Sequence, residues 1–233
     1  RIAEDAMFNY AKLAFDLNHD ISIFNEYLKK YPGHRRGDRI YSYIAVAALL
    51  ERDYEAAVEA YDNIDELDED MTLNYMKANY LRANQLISSG SYRLAVPCLR
   101  IAGYYSDKSS RFNQMTRFWL AESYYRDDQY VKARELFTEL YNQSALNRQP
   151  ESHLIPYNIA YCYYKEGNYD AAEKWFGTYM KESSVSFRKD ALERTADCNF
   201  ITKDYKSATR YYDMVLKDYY DVNDIYPYYQ AAI

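Results

Sequence analysis

The feature that most constrains the fold is a pattern of small and aromatic residues that the sequence repeats five times. In each copy an alanine is followed by a tyrosine nine positions later, a second alanine twelve positions later and a large apolar residue sixteen positions later. The copies are Ala45/Tyr54/Ala57/Tyr61, Ala83/Tyr92/Ala95/Leu99, Ala121/Tyr130/Ala133/Phe137, Ala160/Tyr169/Ala172/Phe176 and Ala196/Tyr205/Ala208/Tyr212. The second alanines are 38, 38, 39 and 36 residues apart. A near-constant period of this length is typical of an array of one supersecondary unit, so we predict that the chain repeats one such unit.

The spacing of apolar residues identifies the unit as a pair of helices. Glycine and proline are scarce, with 6 and 5 in 233 residues, and apolar residues recur at intervals of three and four, which is the periodicity of amphipathic helices. The first alanine of each copy falls in the middle of the first helix and the second falls early in the second helix. Because two helices cross closely only where side chains are small, these alanines are expected to meet, with the aromatic residues beside them. The sequence therefore predicts an all-α protein made of helical hairpins.

The turn inside each hairpin has its own sequence signal. The residue before each pattern tyrosine is expected to be the N-cap of the second helix. These residues are Asp53, Ser91, Asn168 and Asp204, with Gln129 as the weak exception. The residue before that is expected to adopt the left-handed conformation that ends a helix. It is Gly90 or Gly167 in two copies and Arg52, Asp128 or Lys203 in the other three.

The pattern resembles the tetratricopeptide repeat (TPR), in which a small residue in the first helix is followed by a polar turn and by Tyr-x-x-Ala. Gly167-Asn168-Tyr169-Asp170-Ala171-Ala172 is the best match, and the resemblance covers residues 38–220. It implies an all-α, TPR-type helical-hairpin solenoid, a right-handed superhelix that forms a single array over residues 1–233. The expected hairpins are 1–34, 38–72, 76–110, 114–148, 153–186 and 189–220, with 222–233 as the start of a further repeat that is cut short at Ile233.

Composition suggests where such an array would work. The 30 tyrosines and the long repeats are similar to those of large TPR proteins of the Bacteroidetes cell envelope, which favours the periplasm or cell envelope over the cytoplasm. The chain begins at Arg1 without a visible signal peptide, so we expect a mature or trimmed piece of a longer protein.

Several function classes are disfavoured by the sequence. A net charge of −6 argues against duplex nucleic acid as a partner, because that affinity comes mainly from neutralising phosphates. The longest apolar run, Ile40–Leu50, is too short to span a bilayer. Cys98, Cys162 and Cys198 are too far apart for a zinc site and are expected to be buried as small apolar residues. No phosphate-binding glycine loop or nucleophile motif is present, so we expect no enzyme activity, no cofactor and no metal.

The TPR resemblance implies a partner segment bound along the first helices of the hairpins. Side chains that flank the first alanine, or follow it by about a turn, are predicted to face that groove, and nine of them are the partner-binding candidates. They are Tyr80, Asn84, Phe118, Glu122, Tyr125, Arg126, Tyr157, Tyr161 and Lys165.

Two interpretations of the aromatic candidates remain open at this level. They either pack against the next repeat or form a recognition groove, in which tyrosine supplies contact area at low entropic cost. We therefore predict a protein-interaction scaffold whose partner is a segment of another protein. The alternatives are a glycan or small-ligand module that uses the same tyrosines, and a structural spacer within a longer array. The oligomeric state does not follow from the sequence.

Overall fold

A computed structural model of the chain describes residues 2–33, 35–143, 150–181, 186–219, 226–227 and 230. In this part of the chain twelve α-helices follow one another in six pairs, and one 3₁₀ turn, Pro150–Leu154, precedes the ninth helix. The pairs are α1 (Ile2–Asn18) and α2 (Ser22–Lys30), α3 (Gly37–Leu50) and α4 (Tyr54–Asp62), α5 (Glu69–Ser88) and α6 (Tyr92–Tyr105), α7 (Arg111–Arg126) and α8 (Tyr130–Asn142), α9 (Ile155–Lys165) and α10 (Tyr169–Tyr179), α11 (Arg188–Ile201) and α12 (Tyr205–Asp218). The predicted all-α hairpin architecture is confirmed.

The chain forms two compact units, Arg1–Thr116 and Arg117–Ile233, with the boundary inside α7. In the first unit α3 packs on α4, α4 on α5, and α5 on α6. In the second unit α8 packs on α9, α9 on α10, α10 on α11, and α11 on α12. Within each unit the helices of a hairpin pack on each other, and α4 on α5, α8 on α9 and α10 on α11 join successive hairpins, as in a repeat array. The single array over 1–233 stays a prediction, and the further repeat at 222–233 falls almost wholly outside the described residues.

The repeated alanines lie at the centre of the packing. All ten are buried, and none exposes more than 2% of its surface. The large residue at the end of each copy is buried beside them: Tyr61, Leu99, Phe137, Phe176 and Tyr212 are all at most 1% exposed. A larger residue at either alanine would separate the two helices. The alanines therefore mark the point where the two helices of each hairpin approach each other most closely.

The predicted left-handed turn residues are confirmed in all five copies. Their φ angles are 61° at Arg52, 77° at Gly90, 57° at Asp128, 77° at Gly167 and 66° at Lys203. The next residue donates its backbone N–H to a carbonyl five positions earlier in each copy, over 2.8–2.9 Å. This is the Schellman arrangement, which satisfies a helix-terminal carbonyl that would otherwise lack a partner. Three copies thus adopt it without glycine.

The N-caps differ from one copy to another. The side chains of Asp53, Asn168 and Asp204 accept hydrogen bonds from backbone N–H groups three residues later. Ser91 and Gln129 occupy the cap position without a side-chain cap bond. Ser91 therefore occupies the predicted cap position, but its side chain does not form the expected cap hydrogen bond.

We expect Asn168→Ala to lower the free energy of unfolding by about 1 kcal/mol, because the N–H of Ala171 loses its acceptor. Ser91→Ala is the matched control and should change stability by no more than a few tenths of a kcal/mol, since its hydroxyl makes no cap bond. Urea denaturation of both variants measures the difference. Equal losses for the two would show that the cap bond does not contribute.

The acidic run 62–70 joins α4 to α5. Residues 63–68 form the linker between the two helices, whereas Glu69 and Asp70 are the first residues of α5. The Asp68 carboxylate accepts from the N–H of Met71 over 2.8 Å, and acidic residues in a first helical turn interact well with the helix dipole. Helix α5 therefore starts seven residues before the predicted hairpin boundary at residue 76.

Two smaller expectations concern burial and membrane spans. Cys98, Cys162 and Cys198 are buried and unpaired, as predicted, and burial raises the pKa of Cys162 to about 12. Across the described residues, no helix combines the length and hydropathy needed to cross a membrane.

Candidate functional site

A cavity of about 200 Å³ opens between α7 and α9 in the second unit. Its lining residues are Glu122, Tyr125, Arg126, Tyr157, Asn158 and Tyr161. The first three lie on the last turns of α7, and the other three lie on the first turns of α9. Positions 122, 125 and 126 share one helical face, as do 157, 158 and 161, because residues three and four apart are neighbours on a helix.

Three tyrosine rings form the aromatic wall of this cavity. The ring of Tyr161 meets that of Tyr157 at 4.9 Å and that of Tyr125 at 6.5 Å, both edge to face. Behind them Tyr161 packs on Phe176 at 5.3 Å, and Tyr157 stacks on Phe187 at 5.3 Å. Edge-to-face contacts of this kind stabilise a defined ring orientation, so the wall is held in place before any ligand arrives.

One carboxylate of the next hairpin fixes two of these tyrosines. The hydroxyls of Tyr157 and Tyr161 donate to the same oxygen of Asp190, over 2.7 and 2.5 Å. Burial, together with the hydrogen bond to Asp190, raises the pKa of both phenols well above the usual value. Both tyrosines therefore stay neutral at physiological pH and present ring surface to the cavity, while their hydroxyls are committed to α11.

The rim of the cavity is polar. The guanidinium Nε of Arg126 lies 2.7 Å from a carboxylate oxygen of Glu122, one turn earlier on α7. The Arg126 side chain is 53% exposed, so the pair borders solvent, where ion pairs contribute little to stability. Asn158 adds an amide, which can both donate and accept a hydrogen bond.

The structure brings together five of the nine predicted binding residues. Glu122, Tyr125, Arg126, Tyr157 and Tyr161 line the cavity. Phe118 is buried at 7% exposure and packs on Phe137, so it forms part of the core and offers no surface to a partner. Lys165, at the end of α9, is exposed but does not line the cavity.

The remaining two candidates belong to the first unit. Tyr80 and Asn84 lie on α5 and are both partly buried. The ring of Tyr80 packs against that of Phe112 at 4.8 Å, which is contact with the start of the next hairpin. For Tyr80 the structure therefore favours the packing interpretation. Tyr157 and Tyr161 contact neighbouring rings and also line the cavity, so a role in recognition stays a prediction for these two residues.

Sequence reasoning missed two residues of this site. Asn158 is not among the predicted residues, although it lies one turn from Tyr161 on the same face of α9. Asp190 lies on α11, and nothing in the spacing of one hairpin shows which residue of the next it will meet. Its only signal is the run Asp190, Arg194 and Asp197, which places three charges on one face of a helix.

Comparisons with known proteins support the fold. Residues 10–199 match the model of a family described as "Uncharacterized protein conserved in bacteria (DUF2225)". No curated protein matches the chain in sequence. The solved structure of YrrB, a TPR protein with an unusual peptide-binding site, is 13% identical with a TM-score of 0.58, covering 92% of this chain and all of that one. BtubC (BKLC) from P. vanneervenii is 14% identical with a TM-score of 0.54, covering 95% and 94% of the two chains. MamA is 15% identical with a TM-score of 0.52, covering 79% of this chain and 92% of its own. At these identities the likeness establishes the TPR fold.

Proposed function

The chain belongs to the DUF2225 family of bacterial proteins and has the TPR fold, and from this premise we propose that it is a protein-interaction scaffold. It binds a segment of another protein at the cavity between α7 and α9. The observation that carries this proposal is that five of the residues predicted from the sequence line one cavity of about 200 Å³. The solved structure of YrrB, described as having a peptide-binding site, supports a peptide as the ligand class.

The size of the cavity favours one side chain of a longer segment over a whole small molecule. Sites for drug-sized ligands measure about 300–1,000 Å³, whereas a cavity of about 150 Å³ is enough for a benzene molecule. The cavity between α7 and α9, at about 200 Å³, therefore fits a single aromatic or aliphatic side chain. A segment anchored in this way would continue over the surrounding surface.

The chemistry of the lining suggests how the segment is oriented. The tyrosine rings form an apolar wall, since the hydroxyls of Tyr157 and Tyr161 are already bonded to Asp190. Asn158 can hydrogen-bond a passing peptide group as both donor and acceptor. Arg126 donates to Glu122 through Nε, and its other guanidinium N–H groups could donate to a carboxylate near the anchor. We propose a segment with an apolar anchor next to an acidic residue.

The glycan alternative also uses these tyrosines, since aromatic faces accept apolar surfaces of many kinds. It is less well supported, because a sugar stacks on an open ring face and these rings meet one another edge to face around a small cavity. A structural spacer would need none of the cavity's polar groups.

A displayed library of random peptides tests the proposal directly. We expect the protein to enrich peptides that share an apolar residue next to an acidic one. The variant Arg126→Ala plus Asn158→Ala should bind such a peptide at least about tenfold more weakly in fluorescence anisotropy, equivalent to about 1.4 kcal/mol. Neither substitution removes a buried side chain, so the variant should fold like the wild type.

The matched control is Arg100→Ala plus Asn142→Ala, which removes the same residue types at exposed positions outside the cavity. It should leave peptide affinity unchanged. Equal loss in both double variants, or a library that yields no peptide, would contradict the proposal. Binding to a glycan array that depends on Asn158 would instead favour the glycan alternative.

A further inference from the structure

A second cavity, of about 420 Å³, lies in the first unit where α4 passes into α5. Its lining residues are Tyr61, Asp62, Ile64, Asp65, Leu67, Thr72, Tyr75 and Tyr105. They come from the end of α4, the linker 63–68, the start of α5 and the last residue of α6. None of these residues was selected from the sequence as a binding candidate, and none takes part in the cavity between α7 and α9.

Three tyrosine rings form one wall of this second cavity. The rings of Tyr61 and Tyr75 lie 5.5 Å apart, and those of Tyr75 and Tyr105 lie 5.8 Å apart. Tyr61 and Tyr75 are buried, while Tyr105 is 38% exposed. The wall therefore runs from the core to the surface, and Tyr105 is its most exposed ring.

The lining of this cavity also carries negative charge. Asp62 and Asp65 line the cavity and are exposed, and the run 62–70 holds six carboxylates without a lysine or arginine. Among the described residues, no three metal-ligating side chains come together closely enough to hold an ion. Carboxylates combined with aromatic faces are instead the environment that an organic cation prefers, because the ring quadrupole attracts positive charge.

The linker that carries these carboxylates is held in a fixed position. Both oxygens of Asp38 accept backbone N–H groups of the linker, from Asp65 over 3.1 Å and from Glu66 over 3.0 Å. The hydroxyl of Tyr75 donates to Asp62 over 2.5 Å. The negative charges are therefore placed before a ligand binds, which lowers the entropic cost of binding.

A buried polar atom in the wall lacks a partner. Tyr61 is 1% exposed, and its hydroxyl makes no hydrogen bond among the described residues. The side chain of Asn74 lies near it without reaching hydrogen-bond geometry. Burying an unsatisfied hydroxyl is costly, and Tyr61 is a lining residue of the cavity, so an N–H donor that reached this oxygen would offset that cost.

We propose that this cavity binds the guanidinium group of an arginine from a basic segment of a partner protein. A guanidinium stacks on aromatic faces and has five N–H donors in a rigid plane. Here it would lie against Tyr75 and Tyr105 and donate to Asp62, Asp65 and the hydroxyl oxygen of Tyr61. Lysine fits less well, because its compact, strongly hydrated charge does not stack.

The test uses a fluorescent peptide with arginines separated by glycine and serine, and the same peptide with citrulline in place of arginine. Citrulline keeps the shape of the side chain and removes its charge. We expect the full chain to bind the arginine peptide at least about tenfold more tightly, with affinity that falls as salt rises. Equal affinity for the two peptides would overturn the proposal.

Substitutions then test whether the arginine peptide binds at this cavity. Asp62→Asn plus Asp65→Asn should weaken binding of the arginine peptide at least about tenfold, and the new amide oxygen at position 62 would still accept from the hydroxyl of Tyr75. The control, Asp16→Asn plus Glu26→Gln, removes two exposed carboxylates from the same unit and should change affinity little. Equal loss in both would show attraction to net charge alone and would overturn the site.

A further variant separates this site from folding and from the cavity between α7 and α9. Tyr61→Phe keeps the ring and removes the unpaired hydroxyl, so it should weaken arginine binding a few-fold while the protein stays folded. Arginine binding unaffected by Tyr61→Phe would contradict the proposed contact. Arg126→Ala plus Asn158→Ala should leave binding of the arginine peptide intact, so that the two proposals fail independently.

Discussion

We expect this protein to unfold cooperatively between about pH 10 and about pH 12. Tyr27, Tyr61, Tyr75 and Tyr212 are buried, and none exposes more than 8% of its surface. Burial raises the pKa of Tyr27 and of Tyr61 to about 12, and it raises the pKa of Tyr75 and of Tyr212 further. Hydrogen bonds to the carboxylates of Glu4, Asp62 and Asp197 act in the same direction for Tyr27, Tyr75 and Tyr212.

The direction follows from which state holds the protons. Below about pH 10 these phenols are protonated in both states, so their contribution to stability is fully present. Above it the unfolded chain releases protons that the folded chain retains, and each such tyrosine costs about 1.4 kcal/mol per pH unit. Four together cost about 5.5 kcal/mol per pH unit. Over two pH units the loss becomes comparable with the whole free energy of unfolding of a typical domain, which is roughly 5–15 kcal/mol.

Tyrosinate absorbance and far-ultraviolet circular dichroism, followed in one pH titration, check this expectation. A cooperative rise in tyrosinate should coincide with the loss of helix. Tyr61→Phe removes one of the four groups and should shift the midpoint to higher pH, whereas Tyr10→Phe, at a position 61% exposed, should not. Ionisation of every tyrosine near pH 10 with the helices intact would contradict the prediction.

Replacing Phe176 by alanine is expected to lower the free energy of unfolding by about 3–5 kcal/mol. Phe176 has no exposed surface, and it packs against Tyr161 at 5.3 Å and Tyr157 at 6.0 Å. The substitution leaves a hole between the crossing of α9 and α10 and the wall of the cavity. Because both tyrosines lose their backing, affinity for a cavity-bound peptide should fall together with stability.

Urea denaturation measures the stability loss, and two further variants calibrate it. Phe176→Leu keeps an apolar side chain in the hole and should cost about 1–2 kcal/mol. Tyr10→Ala removes an exposed ring and should change stability by about 0.5 kcal/mol or less. If Phe176→Ala cost no more than Tyr10→Ala, the position would not be part of the core.

The hairpin could be predicted from the sequence because its determinants are local and repeated. The alanine pair, the aromatic residue beside it and the left-handed turn residue lie within about one hairpin of one another. Arg52, Asp128 and Lys203 were predicted to be left-handed without glycine because Gly90 and Gly167 occupy the equivalent positions. Because the unit repeats, the two copies with glycine indicated the backbone conformation of the three copies without it.

What could not be predicted depends on contacts between hairpins. Phe118 has the same register as Tyr80 and Tyr157, yet it is buried, because the packing of the next helices decides which side of a ring is covered. The bond from Tyr157 and Tyr161 to Asp190 joins residues about thirty positions apart, and no period in the sequence aligns them. The second cavity was missed because its aromatic and acidic lining residues come from four segments, each of them ordinary when taken separately.

The bond to Asp190 also sets the smallest piece of the chain that can carry the cavity between α7 and α9. All six lining residues lie on α7 and α9, so a graft of hairpins α7–α8 and α9–α10 would contain the complete lining. Such a graft would leave the two phenols without their acceptor and Tyr157 without Phe187. The transferable module is therefore two hairpins extended through α11, because the residues that support Tyr157 and Tyr161 must be transferred together with the cavity.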